Sequence, residues 1–297
     1  MTPEVHAFPD EAGPAGRFAG ALGLPLRLIR PHAFPDGESR PTVTATAGAG
    51  AILYRSLARP DDRLMPLLLA ADALRRAGAG RVDLVAPYLP YMRQDRVFSP
   101  GEPLSQAVMG RVLSGVFDRV LTLEAHLHRT PDLAAVFPGR GARNAGGGEV
   151  LAEALARLRP RVSLVAGPDS ESAAWAGAVA QRLGAGVLVA GKVRRGDRDV
   201  TVQYPDDPRL AGAHIALVDD ICSSGGTLAA AARAMRAAGA RRITAAVVHG
   251  LFDARTARAL KAAGVDRLIA TDSVAGPGRR LPVADALARA WREMDAA

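Results

Sequence analysis

The sequence predicts an α/β protein of two domains, each a mainly parallel sheet flanked by helices. Three observations carry this expectation. Short apolar runs alternate with amphipathic stretches along the whole chain, as in the strand–helix–strand units that build parallel sheets. The 297 residues, 48% of them hydrophobic, are long for one domain and comfortable for two of about 150. A glycine-rich segment at 138–148, PGRGARNAGGG, carries the densest turn signals and reads as the linker. It divides the chain into an N-terminal domain, 1–147, and a C-terminal domain, 148–297, whose last helix is free to pack back on the first.

Composition narrows the function classes. Aromatic residues make up only 4%, so aliphatic residues and alanine must fill the cores. The single cysteine, Cys222, forbids an intramolecular disulfide and suits a reducing compartment. The first residues, MTPEVHAFPDEAG, lack the basic start and apolar run of a secretory leader, and no apolar stretch approaches the roughly 20 residues of a membrane span. A cytoplasmic protein with no membrane partner is expected. The net charge of +8 could suit nucleic acid, but the basic residues are dispersed and no aromatic-interleaved patch accompanies them. Anionic phosphate substrates call for the same sign of charge. Only Lys192 and Lys261 are lysines among 38 basic residues, so a lysine marks a place where arginine does not serve.

In chain order, 16–22 reads as a small-residue helix and 24–29 as a strand. The turn His32-Ala33-Phe34-Pro35-Asp36-Gly37-Glu38 follows. A strand is expected over 51–57, a helix over 61–77 and a strand over 82–86. Next comes Pro87-Tyr88-Leu89-Pro90-Tyr91-Met92-Arg93-Gln94-Asp95-Arg96, continued to Pro103, in which prolines and a glycine forbid a regular helix. Irregular backbone after a buried strand is where open α/β sheets bind ligands. The cluster Arg93-Gln94-Asp95-Arg96 offers a guanidinium fork for phosphate oxygens, an amide and a carboxylate, with a structural ion-pair cluster as the lesser alternative. A helix over 104–113 and a strand over 119–123 lead into Glu124-Ala125-His126-Leu127-His128, whose histidines share one side at spacing two. The second half repeats the alternation. A helix over 149–158 and a strand over 162–166 precede the loop Gly167-Pro168-Asp169-Ser170-Glu171-Ser172, then a helix over 173–183 and a strand over 187–190. Gly191-Lys192-Val193-Arg194-Arg195-Gly196-Asp197-Arg198 has four basic residues, with glycines at 191 and 196, and reads as a mobile cationic flap, against the plainer reading of an exposed hairpin tip. Beyond 235, a strand over 242–249, a helix over 253–263, a strand over 267–272 and a helix over 283–294 complete the chain.

The stretch at 215–235, IALVDDICSSGGTLAAAARAM, is the most informative. An apolar strand at 215–218 meets Asp219 and Asp220, then a small-residue loop and an alanine-rich helix. The glycines admit close approach of a ligand, and the N–H groups at the helix start favour an anion such as phosphate. Two carboxylates beside a phosphate site suit the diol of a ribose. A surface turn with an N-cap is the plain alternative. Cys222 at this helix start could also be a redox-sensitive thiol, set against its reading as a small apolar filler.

VDDICSSGGT resembles the ribose-5-phosphate loop shared by type I phosphoribosyltransferases and ribose-phosphate pyrophosphokinases (PRPP synthetases). PYxxYMRQDRxFxPGE resembles the ATP-binding segment of the pyrophosphokinases, closest to their archaeal-type branch, and the resemblance covers nearly the whole chain. It implies two related domains of type I phosphoribosyltransferase-like fold. It also implies transfer of the β,γ-diphosphoryl group of ATP to ribose 5-phosphate with Mg²⁺ as cofactor. By this resemblance Phe34, Asp36 and Glu38 reach the adenine of ATP across a subunit interface, which implies a homo-oligomer. Arg93, Gln94, Asp95 and His126 hold ATP. His126 and Asp169 serve the metal, Glu124 stands where relatives carry Asp, and His128 orients the turn. Lys192 and Arg194 are the catalytic pair of the K-x-R flap. Asp219, Asp220, Ser223, Ser224, Gly225, Gly226 and Thr227 bind ribose 5-phosphate. Other readings of the residues remain open: a phosphoribosyltransferase, a diphosphokinase acting on another sugar phosphate, and a non-catalytic nucleotide-binding regulator.

Overall fold

The computed structural model describes residues 2–44, 50–127, 129–169, 172–190, 192–195, 200–204 and 206–296. The chain forms two compact units, residues 1–146 with 283–297, and residues 147–282.

The first unit is a six-stranded parallel sheet with helices. Its strands are β1 (Glu4–Ala7), β2 (Leu26–Leu28), β3 (Ala51–Tyr54), β4 (Val82–Ala86), β5 (Arg119–Leu123) and β6 (Gly141–Ala145), in the order β2-β1-β3-β4-β5-β6. Helices α1 (Ala12–Leu22), α2 (Pro60–Arg76) and α3 (Ser105–Ser114) connect them. Every residue of β3 and β4 is buried, as strands covered on both faces require. The exception to their apolar character is Asp83, whose burial is compensated by Arg81 and Arg119, each 2.9 Å from its carboxylate. Arg119 also lies over the Trp291 ring at 4.7 Å and donates to the Met294 carbonyl at 3.1 Å. This seats the closing helix, Ala284–Asp295, in the first unit.

Two strands of this sheet are not expected from the sequence. β1 is four residues long and lies between β2 and β3. β6 occupies residues 141–145 of the segment read as a linker, so that reading needs correction. Its register with β5, from Arg119↔Gly141 to Leu123↔Ala145, supplies the ladder that its glycine-rich sequence does not favour by propensity.

The second unit holds β7 (Leu164–Ala166), β8 (Gly186–Leu188), β11 (His214–Cys222), β12 (Arg242–Gly250), β13 (Arg267–Thr271) and β14 (Arg280–Leu281), parallel in the order β14-β13-β12-β11-β7-β8. A separate antiparallel ribbon pairs β9 (Lys192–Arg195) with β10 (Val200–Gln203). The helices are α4 (Gly148–Ala156), α5 (Ala173–Leu183), α6 (Gly226–Ala237) and α7 (Ala254–Ala262). Ile215 and Leu217 on β11 join Leu228, Ala231 and Met235 on α6 in one core. Each of the Ile, Leu and Met side chains among them contributes about 1.5–3 kcal/mol by burial. Asp253 caps α7 by accepting from Thr256 N at 2.8 Å. Strand β11 is longer than the apolar run 215–218 foretells. It carries Asp219, Asp220 and Cys222 within its ladder, with Asp219 opposite Val247 and Cys222 opposite Gly250. The acids stand at the carboxyl end of the sheet, where both are half-buried. No helix among the described residues is long and apolar enough to cross a membrane.

Candidate functional site

Strand β11 delivers two acids and then the small-residue loop into α6. Gly225 is the N-cap, with φ +73, a left-handed conformation that glycine adopts without strain. A Cβ at this position would lie 2.9 Å from Thr256 Cγ2, so α7 closes the space behind the loop. The cap brings no side-chain hydrogen bond to the first turn of α6. Ser223, Ser224 and Gly226 are exposed and Thr227 is half-buried. The exposed face therefore combines first-turn amides, hydroxyls and the positive end of a twelve-residue helix, an arrangement that attracts phosphate.

The acids behind the loop are crowded. Asp220 N donates to Asp219 Oδ1 at 3.0 Å. Burial, followed by the neighbouring charges of Asp220 and Asp169, pushes the Asp219 carboxyl well above the usual carboxylate range. Asp169 belongs to the turn after β7, where Ser172 N donates to Asp169 Oδ1 at 3.0 Å and Ser172 Oγ donates to the Asp169 carbonyl at 2.7 Å. Three carboxylates thus repel one another in one unit, and a cation or a set of hydroxyl donors would relieve them. Cys222 is 2% exposed, and burial, with Asp219 beside it, pushes its thiol up to about 12. This burial favours the reading of Cys222 as a small apolar filler over the redox-sensitive one.

Lys192 and Arg194 fall on β9, opposite Gln203 and Thr201 of β10, so their backbone is a paired ribbon rather than an irregular flap. Gly191 and the expected tip at 196–198 lie outside the described residues, as do His128, Ser170 and Glu171.

In the first unit, residues 30–42 form an arm with antiparallel bridges Arg30↔Thr42 and Ala33↔Ser39. At its tip Phe34 N donates to the Glu38 carbonyl at 2.8 Å, and Glu38 N donates to Asp36 Oδ1 at 3.1 Å. Phe34 is half-buried, between His32 edge-on at 4.5 Å and Arg40 at 5.4 Å. After β4, Tyr91 adopts φ +66 and its hydroxyl donates to Asp61 at 3.2 Å. Gln94 accepts from Ser105 Oγ at 2.5 Å, and Arg93 is exposed. The Asp95 side chain is only 1% exposed and accepts from Arg129 Nη1 at 3.0 and 3.2 Å. Arg129 is a partner that spacing along the sequence could not reveal. Glu124, with φ +40, and the partly buried His126 follow β5. Among the described residues, the non-glycine positions with left-handed backbone, Arg59, Tyr91 and Glu124, all lie in connections leaving the carboxyl ends of β3, β4 and β5. Strain of this kind concentrates at ligand sites.

His126 belongs to the first unit and Asp169 to the second. Among the described residues, no group of three or more His, Cys, Asp or Glu side chains could alone hold a metal ion. The acids nevertheless fit Mg²⁺, which takes one or two carboxylates and completes its shell with water and substrate phosphates.

Comparison with known proteins places the chain in two steps. The family model described as "Phosphoribosyl transferase domain" matches residues 145–277, the region that carries the acidic strand end and the open loop. The model described as "N-terminal domain of ribose phosphate pyrophosphokinase" matches residues 14–116. The ribose-phosphate pyrophosphokinase of Methanopyrus kandleri is 33% identical over 276 residues, covering 92% of this chain and 93% of the relative. That of Thermococcus kodakarensis is also 33% identical, covering 93% and 94%. The crystal structure of phosphoribosylpyrophosphate synthetase from Mycobacterium smegmatis shares the fold, with a TM-score of 0.84 at 23% identity, covering 100% of this chain and 99% of that chain. The chain belongs to the ribose-phosphate pyrophosphokinase family.

Proposed function

We propose that this chain is a ribose-phosphate diphosphokinase, which converts ATP and ribose 5-phosphate to PRPP and AMP. The 1-hydroxyl oxygen of the sugar forms a bond to the β-phosphorus, the bond from that phosphorus to the α–β bridging oxygen breaks, and AMP leaves. The observation that carries this reading is the pair Asp219–Asp220 followed by an uncapped, exposed loop at the carboxyl end of the central strand. The loop residues Ser223, Ser224, Gly225, Gly226 and Thr227 bind the 5-phosphate through amides and hydroxyls. Asp219 and Asp220 accept from ribose hydroxyls, directly or through the metal. Arg93, Gln94, Asp95 and His126 hold ATP, with Asp95 orienting the segment through Arg129. Phe34, Asp36 and Glu38 reach the base from a neighbouring subunit, so the protein works as a homo-oligomer in the cytoplasm. His126 and Asp169 are the residues that would serve Mg²⁺, which when bound would neutralise charge on the phosphate chain. Lys192 and Arg194 stabilise the charge that develops on the transferring group, where positioning and electrostatics do most of the work. The test is AMP release from Mg-ATP with and without ribose 5-phosphate. AMP release should depend on the sugar, and Lys192→Ala should lower turnover by about 10²–10³-fold, with ribose 5-phosphate binding retained. Sugar-independent AMP release, or near-normal turnover of the variant, would contradict the reading.

A further inference from the structure

The cationic ribbon is a two-stranded sheet separate from the six-stranded one, and a lone two-stranded hairpin is marginal in water. Something must hold it in place. Strand β10 packs against α6, the helix behind the phosphate loop. Val202 on β10 is 4% exposed and joins the core that contains Ile215, Leu217 and Met235. Tyr204, immediately after β10, packs against that same core, and its hydroxyl donates to the Gly167 carbonyl at 2.8 Å. Gly167 opens the turn that presents Asp169. That turn has no slack, because a Cβ on Gly167 would lie 2.0 Å from Ser172 Oγ. Burial, then the charges of Asp169 and Asp219, push the Tyr204 phenol above its ordinary range, so it stays a protonated donor. Tyr204 therefore connects the base of the ribbon, the Asp169 turn and the acidic cluster.

We propose that Tyr204 is a positioning residue for the diphosphoryl transfer, tying the β9–β10 ribbon, and with it the backbone of Lys192 and Arg194, to the Gly167–Asp169 turn. The proposal rests on the functional reading of Lys192 and Arg194 given above. Phenylalanine at this position would keep the ring in the core but leave the buried Gly167 carbonyl without this donor. The ribbon would then be held by β10 alone, and the cationic strand would sample positions away from the acids.

The test compares the full chain with Tyr204→Phe in two measurements. The first is amide hydrogen exchange without any substrate. Loss of one hydrogen bond should speed exchange of residues 192–195 and 200–203 about five- to ten-fold, with β11, β12 and β13 unchanged. Exchange within two-fold of the parent, or acceleration spread equally over the six-stranded sheet, overturns the proposal. The second is steady-state kinetics with Mg-ATP and ribose 5-phosphate. Turnover should fall at least about five-fold while KM for the sugar stays within two-fold, since the phosphate loop is untouched. Unchanged turnover, or a loss confined to KM, overturns it. Because the exchange measurement needs no catalysis, a parent chain that releases no AMP would sink the functional reading without deciding whether Tyr204 holds the ribbon.

Discussion

Two adjacent glycines in the loop before α6 should respond in opposite ways to the same substitution. Gly225 has φ +73, and an added Cβ would lie 2.9 Å from Thr256 Cγ2 and 3.4 Å from two atoms of the buried Leu260. A left-handed conformation costs a non-glycine residue about 1–2 kcal/mol, and forcing a methyl into packed side chains adds about 1–2 more. Gly225→Ala should therefore lose about 2–4 kcal/mol, or roughly 5–10 °C in Tm for a unit of this size. Gly226 has no left-handed φ, and the atom nearest an added Cβ would be Ser224 Oγ at 3.8 Å. It opens α6, where alanine is preferred over glycine by up to about 1 kcal/mol. Gly226→Ala should leave Tm level or slightly raised. Thermal unfolding and calorimetric titration with ribose 5-phosphate read both effects. Gly225→Ala should also weaken sugar-phosphate binding, because relief of the clash must move the loop that offers its amides. Equal Tm values for the two variants, or unaltered ribose 5-phosphate affinity in Gly225→Ala, would refute this account of the loop.

Other expectations follow from titrating groups. Asp219 has a raised carboxyl pKa, so its contribution to stability is present below the ordinary carboxylate range and is lost as pH rises through its folded value. Asp219→Asn should raise Tm by a few degrees at pH 7.5, about 1 kcal/mol, while abolishing turnover, and the gain should shrink toward pH 4; a lower Tm at pH 7.5 would contradict the crowding. Burial lowers His6 to about 4, and among the described residues neither ring nitrogen has a hydrogen-bond partner. With a depressed value, stability is complete above about 6.5 and declines as pH falls toward 4, by up to about 3 kcal/mol. His6→Phe should flatten acid unfolding over that window, and an unchanged profile would rule out the assignment. Cys222, with its thiol pushed up to about 12, should react with a disulfide reagent at pH 8 at least about 100-fold more slowly in the native protein than in urea. Comparable rates would show an accessible thiolate.

The two parallel sheets are legible in the sequence because their central strands are continuous apolar runs bounded by turns, as in β3 and the first half of β11. Strands that owe their existence to a neighbour are not. β6 is a polar, glycine-bearing edge held by its ladder with β5 and by the closing helix, and β14 is two residues long. The acids of β11 masked the end of that strand, since carboxylates are poor strand formers away from a ligand-binding sheet end. The strand–loop motif points to Asp219 and Asp220 and the family resemblance to Asp169, but the mutual repulsion that raises the Asp219 pKa depends on packing across two loops. Two partners were out of reach altogether. Arg129 meets Asp95 from 34 residues away, and Tyr204 meets Gly167 from 37. The one available signal for Tyr204 was its rarity, as one of four tyrosines, beside the cationic segment.

The most direct measurement follows the labelled phosphates of ATP. With ribose 5-phosphate and Mg²⁺ present, label from both the β- and γ-positions should appear in the sugar product in equal amounts, matched by the AMP released. Transfer of γ-label alone with release of ADP would describe an ordinary kinase and contradict the central claim, as would a failure of either label to reach the sugar.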